Sequence, residues 1–247
     1  HNISLSAFAS YRKNDATLNS DGSIRTLLKT GYHRTTVELE KKNNYSTTAF
    51  GSNVQWHRNG FQLGLTALYS QFSRPLCPNT EQNYRTDYPQ GYNFWNVGAN
   101  YGYINSRWNV NGESAMSGNG AFATLNSTSF QASKQVAITA IQRYYSAKYW
   151  TLNGNAFSEG GQTRNEMGLL LGLAWTINRF LTANIYSDYA YFAKPRYLAS
   201  VASCAWDNLF STVYTRNNFS FLVRYRFKIR QKDNANSTRL ANEYMQR

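Results

Sequence analysis

The alternation of apolar and polar positions is sharpest near the end of the chain, between Asn218 and Arg230. Every second residue from Phe219 to Ile229 is apolar or aromatic, whereas the intervening positions carry four cations. A repeat of two residues is typical of a β-strand whose two faces meet different surroundings. The apolar side is either the core of a soluble β-sandwich or the hydrocarbon of a membrane that surrounds a wet interior.

The same period recurs along the chain and predicts an all-β protein with about twelve visible strands. We predict strands at residues 1–13, 23–31, 47–56, 61–72, 94–104, 108–116, 121–132, 136–145, 166–177, 179–191, 209–215 and 218–230. No break in composition divides the chain, so residues 1–247 are expected to form a single domain. The pattern already alternates at the first residue and restarts at residue 237, from which we expect further strands in a longer protein.

The predicted connections alternate between short and long. Short turns are expected at residues 57–60, 105–107, 133–135, 178 and 216–217, and longer connections at residues 73–93, 117–120, 146–165 and 192–207. The pair Asn59-Gly60 between two alternating runs is a strong hairpin signal. This asymmetry is typical of outer-membrane β-barrels, which have short periplasmic turns and longer external loops.

The period changes between residues 32 and 43, where Thr35 and Glu38 have the spacing of a capping box at a helix start. We predict a short loop helix near residues 35–43 that rests against the barrel wall or dips into the lumen. One interpretation is a plug that gates the pore, and the alternative is a capped structural loop. The candidate plug motif consists of His33, Arg34, Thr35 and Glu38.

Composition favours the membrane alternative. Aromatic residues make up 16% of the chain, while charged residues also make up only 16%, below the ~25% of an ordinary soluble domain. No apolar run approaches the ~20 residues that a membrane-spanning helix needs. Many aromatic residues fall near predicted strand ends on the apolar parity, as interfacial girdles do. We therefore predict an antiparallel transmembrane β-barrel in the bacterial outer membrane.

Strand parity assigns each residue to lipid or to the lumen. The residues expected to face lipid are Trp95, Val97, Tyr101, Trp108, Leu169, Leu171, Trp175, Phe219, Phe221, Val223, Tyr225 and Phe227. The candidates for lining the lumen are Arg12, Arg25, Lys29, Asn96, Asn100, Glu113, Arg143, Glu166, Asp188, Arg224, Arg226 and Lys228. Among the latter, cations outnumber carboxylates.

Charge allows three interpretations of these cations. The chain has 26 Lys and Arg against 13 Asp and Glu, a net charge of +13, which suggests a lumen that favours anions. The interpretation that we favour is that the cations pair with inward carboxylates, including Glu38 and Glu40 of the loop helix, and rigidify the interior. A third is that loop cations at the outer rim bind glycolipid phosphates.

Several stretches of the sequence are similar to a known family. They are Gly31–Thr35 with Glu38–Asn43, Gly60–Tyr69 with Arg74-Pro75-Leu76, Gly112–Ala115, Ala123–Asn126, Ala156–Gly160, and Asn165-Glu166 with Gly168. In these the chain resembles the outer-membrane barrel portion of Bacteroidota proteins that carry helix-hairpin-helix modules and are often labelled as relatives of DNA-uptake proteins. That module implies binding to the DNA backbone. Its glycine-rich hairpins are absent from this sequence, so nucleic acid is expected only through a module that this chain lacks.

No catalytic, metal or cofactor site is predicted. The histidines His1, His33 and His57 share no metal-ligand spacing with a cysteine or carboxylate, and no Gly-x-Ser-x-Gly motif is present. Cys77 and Cys204 fall in predicted loops, where they form either a loop-to-loop disulfide or two free thiols.

The predicted function is that of a non-enzymatic outer-membrane barrel, either a pore or a structural subunit of an envelope complex, with DNA uptake or handling suggested by the resemblance. The expected partners are outer-membrane lipid, lipopolysaccharide and other outer-membrane or periplasmic proteins. Two alternatives stay open. One is a barrel enzyme acting on lipid or glycan, with a site centred on His33, and the other is a soluble carbohydrate-binding protein whose aromatic residues stack on sugars.

Overall fold

A computed structural model of the chain describes residues 2–234 and 237–247, and most of its regular structure is β-strand. The strands are β1 (Ile3–Asn14), β2 (Ala16–Leu18), β3 (Ile24–Leu27), β4 (Tyr45–Arg58), β5 (Phe61–Leu76), β6 (Gly91–Ile104), β7 (Trp108–Ser117), β8 (Phe122–Gln131), β9 (Val136–Tyr145), β10 (Glu166–Asn178), β11 (Leu181–Phe192), β12 (Ser203–Arg216), β13 (Phe219–Asn234) and β14 (Ser237–Gln246). The helices are α1 (Thr36–Leu39) and one 3₁₀ turn (Asn83–Arg85).

The strands form one sheet in which sequence neighbours are spatial neighbours. The order is β1-β4-β5-β6-β7-β8-β9-β10-β11-β12-β13-β14, and every pair along it is antiparallel. The hairpin β2–β3 lies off this path and meets β5 through the pair Ile24↔Leu76. Within the described residues, β1 pairs only with β4 and β14 only with β13. The predicted fold class, an antiparallel sheet of the outer-membrane barrel type, is confirmed.

The connection between β9 and β10, residues 146–165, lies against one face of the sheet, and we call it the inward loop. Asn96 on β6 donates from Nδ2 to the carbonyl oxygen of Trp150 at 2.9 Å. Lys228 on β13 donates from Nζ to Glu159 at 2.7 Å. Because β6 and β13 are far apart in the strand order, the sheet curves around the loop. We call the face toward the loop concave and the opposite face convex.

Large apolar side chains cover the convex face. Every residue predicted to face lipid lies on it, with exposed fractions that reach 53% at Leu171 and 61% at Phe219. Phe227 is partly covered by the ring of Tyr244, whose centroid lies 6.2 Å away. A soluble protein buries most such side chains, whereas a membrane barrel turns them outward. The sheet thus has an apolar exterior and a polar interior.

Most connections follow the predicted alternation. Asn59 and Gly60 both have positive φ, 49° and 82°, as a two-residue hairpin of type I′ requires. The connections at 105–107, 132–135, 179–180 and 217–218 are also short, whereas those at 77–90, 146–165 and 193–202 are long. The predicted strands at 121–132 and 136–145 are present as β8 and β9.

Two predicted boundaries are wrong, and a further strand begins where the alternation was predicted to restart. The loop predicted at residues 192–207 ends earlier, because β12 begins at Ser203 and places the polar Asp207 on the concave face, where it has ionic partners. The strand predicted at residues 23–31 is only the four-residue β3, since it belongs to the small β2–β3 hairpin and not to the wall. Ser237 begins a further strand, β14.

The cysteines and the helix also differ from expectation. Cys204 lies in β12 and not in a loop, and both it and Cys77 are free thiols.

The helix α1 spans four residues, shorter than predicted, but Thr35 caps it by accepting a hydrogen bond from the Glu38 amide at 3.2 Å. In the described part of the chain, no helix combines the length and apolarity needed to cross a membrane.

Buried apolar contacts are concentrated where connections fold onto the concave face. One cluster combines the β2–β3 hairpin with β4 and β5, and Trp150 and Leu152 of the inward loop pack against it. The indole of Trp150 lies 4.6 Å from the Phe94 ring. A second cluster contains Tyr145 and Tyr149. These clusters hold the inward loop in place.

Candidate functional site

Three strands bring a buried ion cluster together beneath the inward loop. Arg143 on β9 lies 2.5 Å from Glu166 on β10, measured from Nε to Oε1, and 2.7 Å from Asp188 on β11, measured from Nη1 to Oδ1. All three residues are buried. A cation between two carboxylates leaves excess negative charge, which needs further donors.

The inward loop supplies those donors. The backbone amides of Glu159 and Gly160 each donate to the Glu166 carboxylate at 2.8 Å. The Phe157 ring covers the Arg143 guanidinium at 4.9 Å, and the Tyr145 hydroxyl donates to the Phe157 carbonyl at 2.8 Å. Glu166 therefore ties the loop to the barrel wall while it neutralises the buried arginine.

A second ion cluster joins the same loop to the far side of the interior. The Glu159 carboxylate accepts from Lys228 at 2.7 Å and from Arg230 at 2.9 Å, both on β13. Asp207 on β12 accepts from Arg226 Nε at 2.8 Å and lies 3.4 Å from Lys228. Glu159 is thus bound through its backbone to one cluster and through its side chain to the other.

The charges of the two clusters balance. The cations are Arg143, Arg226, Lys228 and Arg230, and the carboxylates are Glu159, Glu166, Asp188 and Asp207. Glu38 and Glu40 were predicted to supply inward carboxylates, and this prediction is wrong. Glu38 instead lies in the loop of residues 32–43 that Thr35 caps, which we call the capped loop. There Glu38 accepts a hydrogen bond from the Arg34 amide at 2.7 Å, and this bond lowers the pKa of its carboxyl group.

A basic cavity of about 610 Å³ lies between β1, β4 and the inward loop. Arg12 and Lys29 line it, and Lys29 donates from Nζ to the carbonyl oxygen of Leu152 at 3.1 Å. Among the described residues, neither cation has a carboxylate partner within 4.0 Å. This part of the interior therefore retains uncompensated positive charge.

One carboxylate, that of Asp15, also lines this cavity, but it is already engaged. Asp15, in the connection after β1, accepts from the Asn43 amide at 2.9 Å and lies 2.7 Å from Nε2 of His33. The Asn43 hydrogen bond is the main cause that lowers the pKa of Asp15, with His33 also contributing. His33 therefore orders the capped loop together with Asp15.

The remaining residues predicted to line the lumen differ in their surroundings. Asn100 hydrogen-bonds with Gln55 at 3.2 Å, and Asn96 and Glu113 line a cavity of about 350 Å³ beside the inward loop. Arg25 is exposed on β3 and Arg224 is exposed on β13, and neither forms an ion pair with any described residue.

Three members of the ion clusters were not among the predicted lumen residues, namely Glu159, Asp207 and Arg230. Asp207 and Glu159 were assigned to loops, so parity could not place them. Arg230 has the concave parity of β13 and could have been found from its alternation with Ile229. The predicted plug residues make their contacts within the capped loop and with Asp15. In the described residues, the inward loop is the segment that contacts strands on both sides of the interior.

The described residues contain no group of three or more His, Cys, Asp or Glu side chains arranged to hold a metal ion.

Comparison with known proteins yields one distant structural likeness. No protein-family model matches the chain. No curated protein matches it either. A solved structure of the NanC porin in a rhombohedral crystal form is similar over 80% of this chain and 90% of the porin chain, with 15% sequence identity and a TM-score of 0.32.

Proposed function

We propose that this chain is a bacterial outer-membrane β-barrel protein that forms a narrow pore, constricted by the inward loop. The observation that carries the proposal is the division of the sheet between two surroundings. The convex face bears exposed aromatic and aliphatic side chains on successive strands, while the concave face bears ions, amides and hydroxyls. Outer-membrane lipid and lipopolysaccharide are the partners that such an exterior fits.

The inward loop supports a narrow passage. It is held on one side by Glu166 and on the other by Lys228 and Arg230. The two cavities of about 610 and 350 Å³ that flank it share Leu68 and Asn153 in their linings. Spaces of this size suit small hydrated solutes and not folded proteins.

The uncompensated cations support a preference for small anions. Arg12 and Lys29 line the larger cavity, and the ion clusters elsewhere in the interior are balanced. Positive side chains along a passage raise the local concentration of anions and disfavour cations.

A barrel without conductance, serving as a structural subunit of an envelope complex, is the second candidate. The eight paired charges around the inward loop favour it, because they hold the loop in the interior on both sides. The absence of enzymatic activity and a link to DNA uptake stay predictions.

Spin labels at adjacent positions of β6 test which side meets lipid. Val97 is 40% exposed on the convex face, whereas Asn96 contacts the inward loop. A label at Val97→Cys, in a Cys77→Ser and Cys204→Ser background, should be relaxed by oxygen, which concentrates in the acyl region. A label at Asn96→Cys should respond to a water-soluble nickel chelate. The reverse result would overturn the proposal, as would a protein that stays in solution without detergent.

Conductance then separates the pore from the structural barrel. The purified protein, which should migrate differently on gels before and after boiling, is inserted into planar bilayers. Discrete current steps are expected if the passage conducts. Absence of steps from protein whose heat-dependent migration shows that it is folded would reject the pore and favour the structural subunit.

A further inference from the structure

A row of hydrogen-bonding residues crosses the middle of the convex face. In register from β6 to β10 it runs Tyr101↔Gly112↔Asn126↔Gln142↔Leu169. Its two ends are exposed, by 41% at Tyr101 and 47% at Leu169, which shows that the row faces outward. Two carboxamides therefore lie on a surface whose other side chains are mostly apolar.

The polar groups of the row are joined to each other. The Tyr101 hydroxyl donates to Asn126 Oδ1 at 2.5 Å, and Asn126 Nδ2 donates to Gln142 Oε1 at 2.7 Å. One step along the strands, the hydroxyls of Ser114 and Thr124 are 3.0 Å apart. Gly112 is needed for this arrangement, because a Cβ there would lie 2.3 Å from Cζ of the Tyr101 ring.

Gln142 is the last residue in this chain of hydrogen bonds, and its amide group can form further hydrogen bonds. Within the described residues, its Nε2 amide group has no hydrogen-bond partner. Its Oε1 accepts one bond and can accept a second. Gln142 is exposed on the convex face. In hydrocarbon an unpaired amide of this kind is costly, since lipid tails offer neither donors nor acceptors.

The members of the row on β7 and β8 lie midway along their strands. On β8, Phe122 and Phe130 flank it at the two strand ends. On β7, Met116 and Trp108 do the same. In the described sheet, the convex positions of β6–β9 carry no charged side chain. Asn126 therefore lies midway along its strand, and Gln142 lies between Ile138 and Tyr144 on the convex side of β9, in the part of the wall that would face hydrocarbon in a membrane.

We propose that this face of the barrel binds the same face of a second copy of the chain within the membrane, about a twofold axis near Gln142. A twofold axis places the free Nε2 amide group of each Gln142 against the Oε1 oxygen of the other. Each Gln142 then donates one hydrogen bond to its counterpart and accepts one from it. Small side chains near it, at Ser114 and Ala140, let two walls approach closely, as small residues do at interfaces within membranes. The absence of charge here argues against a partner selected by charge.

This inference rests on the proposed function, because the row needs a partner only if the convex face meets lipid. Cross-linking in native membranes tests it in the full chain, in a background that carries Cys77→Ser and Cys204→Ser. Gln142→Cys should give a disulfide-linked species of twice the chain mass. Val54→Cys is the matched control, since Val54 is convex, 43% exposed, and in register with Leu65 on the distant β4–β5 pair. It should stay monomeric.

A second variant keeps the inference testable without cross-linking. Gln142→Leu suits a lipid-facing position, so it should fold and retain its gel shift on heating. In lipid nanodiscs, native mass spectrometry should show dimer for the parent protein and for Val54→Ala, and monomer for Gln142→Leu. A monomeric parent that requires detergent would overturn the pairing and leave the proposed function intact. Cross-links to a different protein, or equal cross-linking at Val54, would also overturn it. A parent that is soluble without detergent would instead reject the proposed function.

Discussion

Arg143 and Gly168 face each other in register across β9 and β10, and a Cβ on Gly168 would lie 2.4 Å from Cζ of Arg143. The guanidinium therefore occupies the space that a side chain at position 168 would fill. From there it reaches Glu166 and Asp188 on the two neighbouring strands. The missing side chain is what allows a buried cation to sit between two carboxylates.

Gly168→Ala should destabilise the folded barrel. The added methyl group displaces a guanidinium that is buried and held by two carboxylates, and disrupting a buried ion pair costs about 3–5 kcal/mol. Unfolding by urea in lipid vesicles, followed by tryptophan fluorescence, measures the change. Gly172→Ala is the control, because its new Cβ would meet nothing nearer than 3.8 Å, and its effect should stay below about 1 kcal/mol. Equal effects of the two variants would contradict this prediction.

Glu159→Gln should loosen the inward loop. The change removes the negative partner of Lys228 and Arg230 and leaves two cations close together. We expect loss of about 3 kcal/mol of stability and larger or noisier conductance steps in planar bilayers. The control is Glu113→Gln, since Glu113 lines the interior but forms no ion pair with any described residue. Unchanged current in Glu159→Gln would show that the loop does not restrict the passage.

Arg12→Glu combined with Lys29→Glu should reduce the preference for anions. Both side chains line the cavity of about 610 Å³ without a carboxylate partner among the described residues. Reversal of their charge should shift the zero-current potential in a potassium chloride gradient toward cation selectivity. The control is Arg107→Glu combined with Arg179→Glu, both in short turns outside this cavity, which alters net charge equally and should change the potential less. The same shift in both proteins would indicate a general charge effect.

The contact of Asp15 with the capped loop should depend on pH. Its pKa is lowered from the ordinary value of 3.8, chiefly by the Asn43 amide and also by His33. A lowered pKa means that the stabilisation is complete well above 3.8 and is lost as the pH falls through the lower pKa of the folded state. Hydrogen exchange at the Asn43 amide, corrected for intrinsic rates, should therefore accelerate in acid. Asp15→Asn should abolish that acceleration, and persistence of it would assign the effect to another group.

Strand alternation predicted most of the wall because each strand meets two different surroundings along its length. β9 was located at 136–145, and the parity of β13 placed Arg226 and Lys228 on the concave face. The prediction for β12 began too late, at residue 209, because Asp207 resembles a loop residue until its partner Arg226 on the next strand is known. The segment at residues 23–31 was predicted as part of the wall because parity does not reveal which strand a segment pairs with, and its strand β3 pairs with β2.

The ion clusters lay beyond sequence reasoning for a different reason. Glu159 and Lys228 are 69 residues apart, and Glu159 lies in a connection without periodicity. Their contact depends on how far the sheet curls and on how the inward loop enters it. Parity could predict that cations face the interior, but not which carboxylates would meet them.

The inward loop touches β6 through Trp150 and β13 through Glu159, so it acts as a strut between opposite parts of the wall. Hydrogen bonds between strands fix which strands are neighbours. The inward loop, which links two distant strands, also fixes how round or flattened the cross-section of the barrel is. Lengthening or shortening this one connection would therefore alter the bore of the barrel while every strand kept its neighbours.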